Sequence, residues 1–233
     1  MIALNLIGEA AETLGAKRYE FELDAQFRCM GSHAFINWID STLDIRETAQ
    51  TYWDPSDEYD FRIFDSVQEL EQAIRQKHTE GLKARLTAGF CWKWSDPKAD
   101  GTLEHDVVID GWSMPWNAKP NSTRLAEGIP KSYFWPTDPG GINQIGAIYT
   151  AQNFEFDYVG VIFGLDLRFD PVTHEWIGDA RKSHDKEVKK SKDQFVDLVK
   201  NTYRVLLTRG LRGCFVYFVD AETKEHFKSL IGR

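Results

Sequence analysis

Two stretches of this chain set polar and charged side chains against apolar sequence in a way that suits ligand chemistry. In the first, Ile148-Tyr-Thr-Ala-Gln-Asn-Phe-Glu-Phe-Asp157, an apolar run ends, a polar turn follows, and an acidic pair leads into a second apolar run. Polar groups at the carboxyl end of a parallel strand stand where open α/β sheets take their ligands. The polar residues of that turn, Thr150, Gln152 and Asn153, are therefore candidates to touch one. In the second, Asn201-Thr-Tyr-Arg-Val-Leu-Leu-Thr-Arg-Gly-Leu-Arg-Gly213, Arg209 follows an apolar helical stretch and precedes a buried run. A guanidinium there, expected to be exposed on a fixed stem, offers a planar fork of donors to a phosphate. Each stretch alone also reads as ordinary structure: a capped turn in one case, an arginine favoured by the dipole at a helix C-terminus in the other.

Other constellations are weaker. Glu104, Asp106 and Asp110 flank a short apolar run and would share one face, as in a nuclease-like acid cluster, but no ordered lysine completes such a site and solvated turn acids are the plainer reading. Trp92, Trp94, Trp112, Trp116 and Trp135 crowd one region; they suit base stacking, and packing better still, since tryptophan buries a large area. No G-x-x-x-x-G-K-[ST], no G-x-G-x-x-G and no G-x-S-x-G occurs, so the chain carries no P-loop, dinucleotide fingerprint or serine-hydrolase elbow of its own.

The elements that must position these residues follow from periodicity. Phe35, Ile36, Ile39 and Leu43 recur at helical spacing behind Gly31 or Ser32 as a cap. Tyr19–Leu23 alternates as a strand does, Phe61–Phe64 is a short strand, and Asp65 or Ser66 caps a helix carrying Val67, Leu70, Ala73 and Ile74. Arg85–Phe90, Val107–Ile109, Ile145–Tyr149, Tyr158–Ile162 and Cys214–Val219 read as strands. Two further helices are expected over about 190–207, with Phe195, Leu198, Val199, Thr202 and Leu206 on one face, and over about 221–231. The near-continuous apolar runs fit strands buried on both faces of a parallel sheet, and their alternation with helices argues α/β, with Thr150 and Arg209 at carboxyl ends of strands. Between Lys93 and Gly141 six prolines break the pattern, which marks a long irregular insertion. The basic run Lys186–Lys192 reads as a solvated helix face.

Taken together and in order, the motifs resemble the second RecA-like domain of a superfamily 1 helicase. Gln152-Asn-Phe-Glu-Phe-Asp157 is similar to motif V, commonly H-K-x-Q-G-x-E-F-D; Tyr203-Arg-Val-Leu-Leu-Thr-Arg-Gly210 to motif VI, commonly Y-V-A-L-T-R-A; and Leu23-Asp-Ala-Gln-Phe-Arg-Cys29 to motif IV, often L-x-x-N-Y-R-S. The likeness is closest to a bacterial helicase-like group related to the helicase region of Schlafen proteins, through Gln26-Phe-Arg-Cys, Trp112-Ser-Met-Pro-Trp-Asn117, Tyr149-Thr-Ala-Gln and Leu207-Thr-Arg-Gly. It spans about residues 20–230.

The resemblance implies a mainly parallel RecA-like sheet with helices on both faces over 1–233, the insertion occupying about 93–141. It implies that Arg28 and Arg209 are arginine fingers, that Gln152 and Glu155 bind nucleotide, Glu155 through the ribose, and that Thr150 approaches a nucleic-acid phosphate. ATP and Mg would be held mainly by a preceding domain with the Walker motifs, so this chain alone is expected to be inactive and to have that domain as its partner, with DNA or RNA bound weakly. A degenerate binding or scaffold module of the same fold is the alternative. Asn153 stands where the family has Gly, which asks the turn to tolerate a left-handed Asn, and Tyr149-Thr150 replaces the usual His-Lys.

Composition agrees with a globular domain and narrows the class. The chain has 233 residues, 42% hydrophobic and 27% charged, enough to bury roughly 70–75% of its unfolded surface. No apolar run approaches the roughly 20 residues of a membrane span. The first residues lack the basic and continuous apolar segments of a signal peptide. Three distant cysteines exclude a disulfide framework and suit a reducing, cytoplasmic setting, and six scattered histidines argue against a structural metal. A net charge of −8 disfavours autonomous tight grip on DNA while leaving room for a local basic groove.

Overall fold

The computed structural model describes residues 10–17, 29 and 33–232. The expected strand over 19–23 and the cap at Gly31 or Ser32 lie outside them, as do Gln26 and Arg28.

Helix α1 (His33–Thr42) buries Phe35, Ile36, Trp38 and Ile39. After a loop, β1 (Asp60–Ile63) leads into α2 (Val67–Thr79), where Ser66 and Glu69 form a reciprocal capping box. The helix ends in a Schellman motif: Gly81 is left-handed, its N–H bonds the His78 carbonyl, and the Leu82 N–H bonds that of Lys77. Strand β2 (Ala84–Ala88) is buried at every position. The insertion folds back with one hairpin, β3 (Val107–Ile109) and β4 (Trp112–Met114), turned at Asp110–Gly111 with both φ angles positive. Strand β5 (Ile145–Gly146) and a single helical turn, α3 (Ile148–Ala151), precede β6 (Phe156–Phe163). An antiparallel hairpin follows, β7 (Leu167–Asp170) with β8 (Glu175–Gly178); then come α4 (Lys186–Lys190), α5 (Phe195–Leu207), β9 (Gly210–Phe218) and α6 (Ala221–Ser229).

Five strands form one parallel sheet in the order β1-β9-β6-β2-β5. Side chains alternate across it, as a two-residue period demands. Val159, Val161, Phe163, Cys214, Val216 and Phe218 enter one core with α1, α5 and Phe227 of α6. Tyr158, Ile162, Phe215 and Tyr217 enter the other with Val67, Leu70 and Ile74 of α2 and Trp112 and Trp116 of the insertion. The fold is thus α/β with helices on both faces of a parallel sheet, as in RecA-like domains.

Three expectations are corrected. The run Ile145–Tyr149 pairs for two residues only, because β5 is the sheet edge and the chain turns at once into α3 to regain the amino end of β6. The helix over 190–207 is broken: Lys192 takes φ 46°, a short 3-10 turn spans Lys192–Gln194, and the long helix starts at Phe195. Its buried face holds Tyr203 and Lys200 where Leu198 was expected, and Leu198 is exposed. The β7–β8 hairpin carries too little alternation to be read locally. The tryptophans Trp112, Trp116 and Trp135 are buried, Trp116 ringed by Phe90, Trp92 and Trp94. Of the acid cluster, Asp106 binds the backbone and hydroxyl of Ser95 and Glu104 pairs with Lys98, so these acids brace the loop.

Candidate functional site

Helix α5 runs back over the sheet before β9 begins, so the residue joining them stands at the amino end of a strand. That residue is Arg209, and the expected placement at a carboxyl end is corrected by this connection. Thr208 ends the helix, its hydroxyl donating to the Arg204 carbonyl at 2.8 Å. The Arg209 side chain then turns inward and is 3% exposed, against the exposed position expected from its place after a helix. Its Nε donates to the Val205 carbonyl at 3.0 Å and its Nη1 to the Gln152 carbonyl at 2.8 Å. In return the Phe156 N–H donates to the Arg209 carbonyl at 3.0 Å. Gly210, which starts β9, has no room for a Cβ: the Gly213 carbonyl oxygen would lie 2.0 Å from it. The ladder between β6 and β9 shifts register at this point.

The two candidate stretches therefore meet at the amino ends of β6 and β9. Gln152 caps α3, and Gln152, Asn153 and Glu155 are exposed on the turn that enters β6. Asn153 is not among the residues with positive φ, so this turn makes no left-handed demand on it. Thr150 sits differently. It is 7% exposed, and its hydroxyl exchanges hydrogen bonds with the buried amide of Asn117, Nδ2 at 3.1 Å and Oδ1 at 3.3 Å. Asn117 also accepts from the Ala147 N–H at 3.2 Å and donates to the Ala118 carbonyl at 3.0 Å, which clamps the insertion to α3. Its role was not legible from its place in the Trp112–Asn117 signature.

Arg28 lies outside the described residues, but its neighbour Cys29 is fully buried with Sγ 4.0 Å from the Thr208 carbonyl. The residue after Arg28 thus packs on the residue before Arg209. Tyr59 seals this junction, donating to the Gly210 carbonyl at 3.2 Å, and burial raises its phenol well above the usual range, with the nearby Cys214 and Cys29 adding to the rise.

Two features were not anticipated. Tyr203, inside the second stretch, stacks on Phe163 at 3.6 Å, accepts from the Gly164 N–H at 2.9 Å and donates to buried Asp166 at 2.6 Å. Burial raises the Asp166 carboxyl above its usual value, against the lowering effect of its bonds from Tyr203 and Cys91. The second feature is a cleft of about 560 Å³ whose wall includes Phe90, Lys93, Trp94, Lys119, Tyr149 and Lys186. Tyr149, the residue before Thr150, is exposed on this cleft and donates to Asp185 at 2.5 Å. Burial, then that carboxylate, raises its phenol. Lys119 is paired with Asp96, while Lys93 and Lys186 are exposed. Among the described residues no group of three or more His, Cys, Asp or Glu side chains converges to hold a metal ion, and no helix is long and apolar enough to cross a membrane.

Comparison with known proteins bears on this geometry. A family profile described as "Schlafen group 3, DNA/RNA helicase domain" matches residues 2–220. The chain is also similar to the "Uncharacterized protein YPL245W" of Saccharomyces cerevisiae, with 25% identity over 223 residues that cover 88% of this chain and 47% of that protein. The chain spans about half the length of this relative.

Proposed function

The chain belongs to the Schlafen group 3 DNA/RNA helicase-domain family, and on that footing we propose that it is the second RecA-like half of a helicase-like NTPase, completing an ATP site held mainly by a preceding Walker-bearing domain. The observation that carries the reading is the bond from Arg209 Nη1 to the Gln152 carbonyl, which joins the motif V-like and motif VI-like segments into one surface. Exposed Gln152 and Glu155 beside the Arg209 stem fit one edge of a nucleotide site. In this reading Arg28 and Arg209 stabilise charge that develops on the transferred phosphoryl group, Glu155 accepts from the ribose, and Gln152 lines the base-ribose edge. The phosphate cradle and magnesium ligands would come from the other domain. ATP supplies the phosphoanhydride whose hydrolysis drives the cycle; what these residues do is position and neutralise.

Nucleic acid would run past α3. Thr150 fixes that turn through Asn117, and the cleft of Tyr149, Phe90, Trp94, Lys93 and Lys186 offers aromatic faces and cations of the kind single strands use. One observation favours the scaffold alternative: the Arg209 guanidinium is buried against carbonyls. Single-turnover hydrolysis by the full-length protein decides. For a finger, Arg209→Ala and Arg28→Ala each lower the rate about 100-fold or more with nucleotide affinity less changed, and lysine does not rescue. Wild-type rates in both variants leave the scaffold reading.

A further inference from the structure

Arg85 is the second residue of β2 and is 2% exposed. A buried guanidinium is ordinarily matched by a carboxylate, because desolvating a lone charge is expensive. Here its bonds go to neutral oxygens: Nε to the Trp135 carbonyl at 3.0 Å, Nη1 to Ala84 at 2.8 Å and Nη2 to Asp138 at 2.6 Å. Among the described residues it forms no ion pair. The Asp138 carboxylate acts on it only at longer range and is itself held by the Gly140 N–H at 2.8 Å. Desolvation pushes the Arg85 guanidinium down to about 10, so it remains a cation at neutral pH.

Arg85 lines a cavity of about 180 Å³ that it shares with Lys83, His78 and Thr137. No carboxylate lines it. The acids nearby are engaged elsewhere: Glu80 pairs with Lys77, and Asp157 takes the Lys83 N–H and Arg212. The cavity walls are fixed. The Schellman turn of α2 sets Gly81 and Leu82 on one side. On the other stand Pro136 and Thr137, just after Trp135, whose carbonyl takes the Arg85 Nε–H. Three donors to carbonyls account for Arg85 as a clamp, yet a neutral donor would clamp these carbonyls without burying a charge. Of the five N–H groups on a guanidinium, those three bonds leave two.

We propose that this cavity is a binding site for a phosphate-class oxyanion, with Arg85 at its floor and Lys83 and His78 at its rim. The site stands apart from Arg209 and Gln152, across β6, and does not depend on the function proposed above. Free phosphate and a phosphate monoester present the same oxygens.

The test is an NMR titration of the 233-residue chain, following the Arg85 Nε–H resonance, with sodium phosphate, phenyl phosphate and sodium acetate at constant ionic strength. The site predicts a saturable shift with phosphate, and about fivefold or greater weakening in Lys83→Gln or His78→Asn, as loss of one rim contact to the anion implies. These rim side chains lie outside the core, so the variants fold even where Arg85→Met does not. Phenyl phosphate binding as tightly as phosphate identifies a monoester as the occupant; weaker binding identifies the free ion; either supports the site. An unmoved Arg85 resonance, equal shifts with acetate, or unchanged affinity in both rim variants overturns it.

Discussion

Arg209 and Gln152, 57 residues apart, are joined by a 2.8 Å hydrogen bond from guanidinium to backbone carbonyl. The bond makes the orientation of one candidate residue depend on the turn that carries another. Any change to that turn therefore reaches Arg209, and any change to Arg209 leaves a carbonyl at the head of β6 without a donor it now has.

Arg209→Ala should accordingly destabilise the chain. It removes bonds to Val205 and Gln152 from a side chain that is 3% exposed, and losing hydrogen bonds made by a charged, buried donor costs about 1–3 kcal/mol. A surface arginine would cost under about 0.5 kcal/mol. Urea unfolding of the isolated chain measures the difference, and kinetic effects of the same variant need correction for the folded fraction.

Asn117→Ala should be more damaging still. The amide bonds Ala147, Ala118 and Thr150 and is fully buried, so its loss strands several polar groups at about 1–3 kcal/mol each before relaxation. Because Thr150 and α3 hang on it, amide exchange across Ile148–Ala151 should speed up along with the drop in urea midpoint. Unchanged protection of that turn would show that the clamp is not what orders it.

How much of this was legible depends on whether the determinant was local. A cap at Asp65 or Ser66 and a buried strand over Tyr158–Ile162 are written in adjacent residues; the cap proves to be Ser66 and the strand to be β6. The length of β5 is not local: it is set by having β2 as its one strand neighbour in the sheet and by the return to β6. Nor is the inward turn of Arg209, which depends on a carbonyl far away in sequence. Thr150 was singled out by spacing, whereas the residue that holds it, Asn117, is identified only by contact. Tyr149 faces the cleft because α3 replaces strand there, which periodicity alone did not show.

Asp166 gives a pH signature. Its folded-state carboxyl is raised by burial, so between the unfolded value, about 3.9, and the higher folded value the native state binds more protons than the unfolded chain. Stability must then fall as pH rises through that window and level off above it. Asp166→Asn keeps an acceptor for Tyr203 and removes the proton equilibrium. The wild-type stability minus that of the variant should decline with rising pH across the window. A flat difference would mean that folding leaves the carboxyl unshifted, and a rising one that the carboxylate is stabilised in the fold; either contradicts this expectation.

The cleft beside α3 yields the sharpest forecast for nucleic acid. Lys93 and Lys186 are exposed cations on a wall with Phe90, Trp94 and Tyr149. If a single strand lies there, each lysine that meets a phosphate releases counterions, and the salt dependence of binding, plotted as log affinity against log salt, falls in slope by about 0.7 per lost contact. The double variant Lys93→Ala, Lys186→Ala should thus lose about 1.4 in slope, with stability unchanged within about 0.5 kcal/mol because both side chains are at the surface. Tyr149→Ala acts by another route. It removes a stacking face worth about 1–3 kcal/mol and leaves the slope alone, while Tyr149→Phe keeps the face and loses only the bond to Asp185. Anisotropy titrations of a labelled single strand at several salt concentrations separate the two contributions. Equal slopes in the wild type and the lysine variant would place the strand's path elsewhere on the domain.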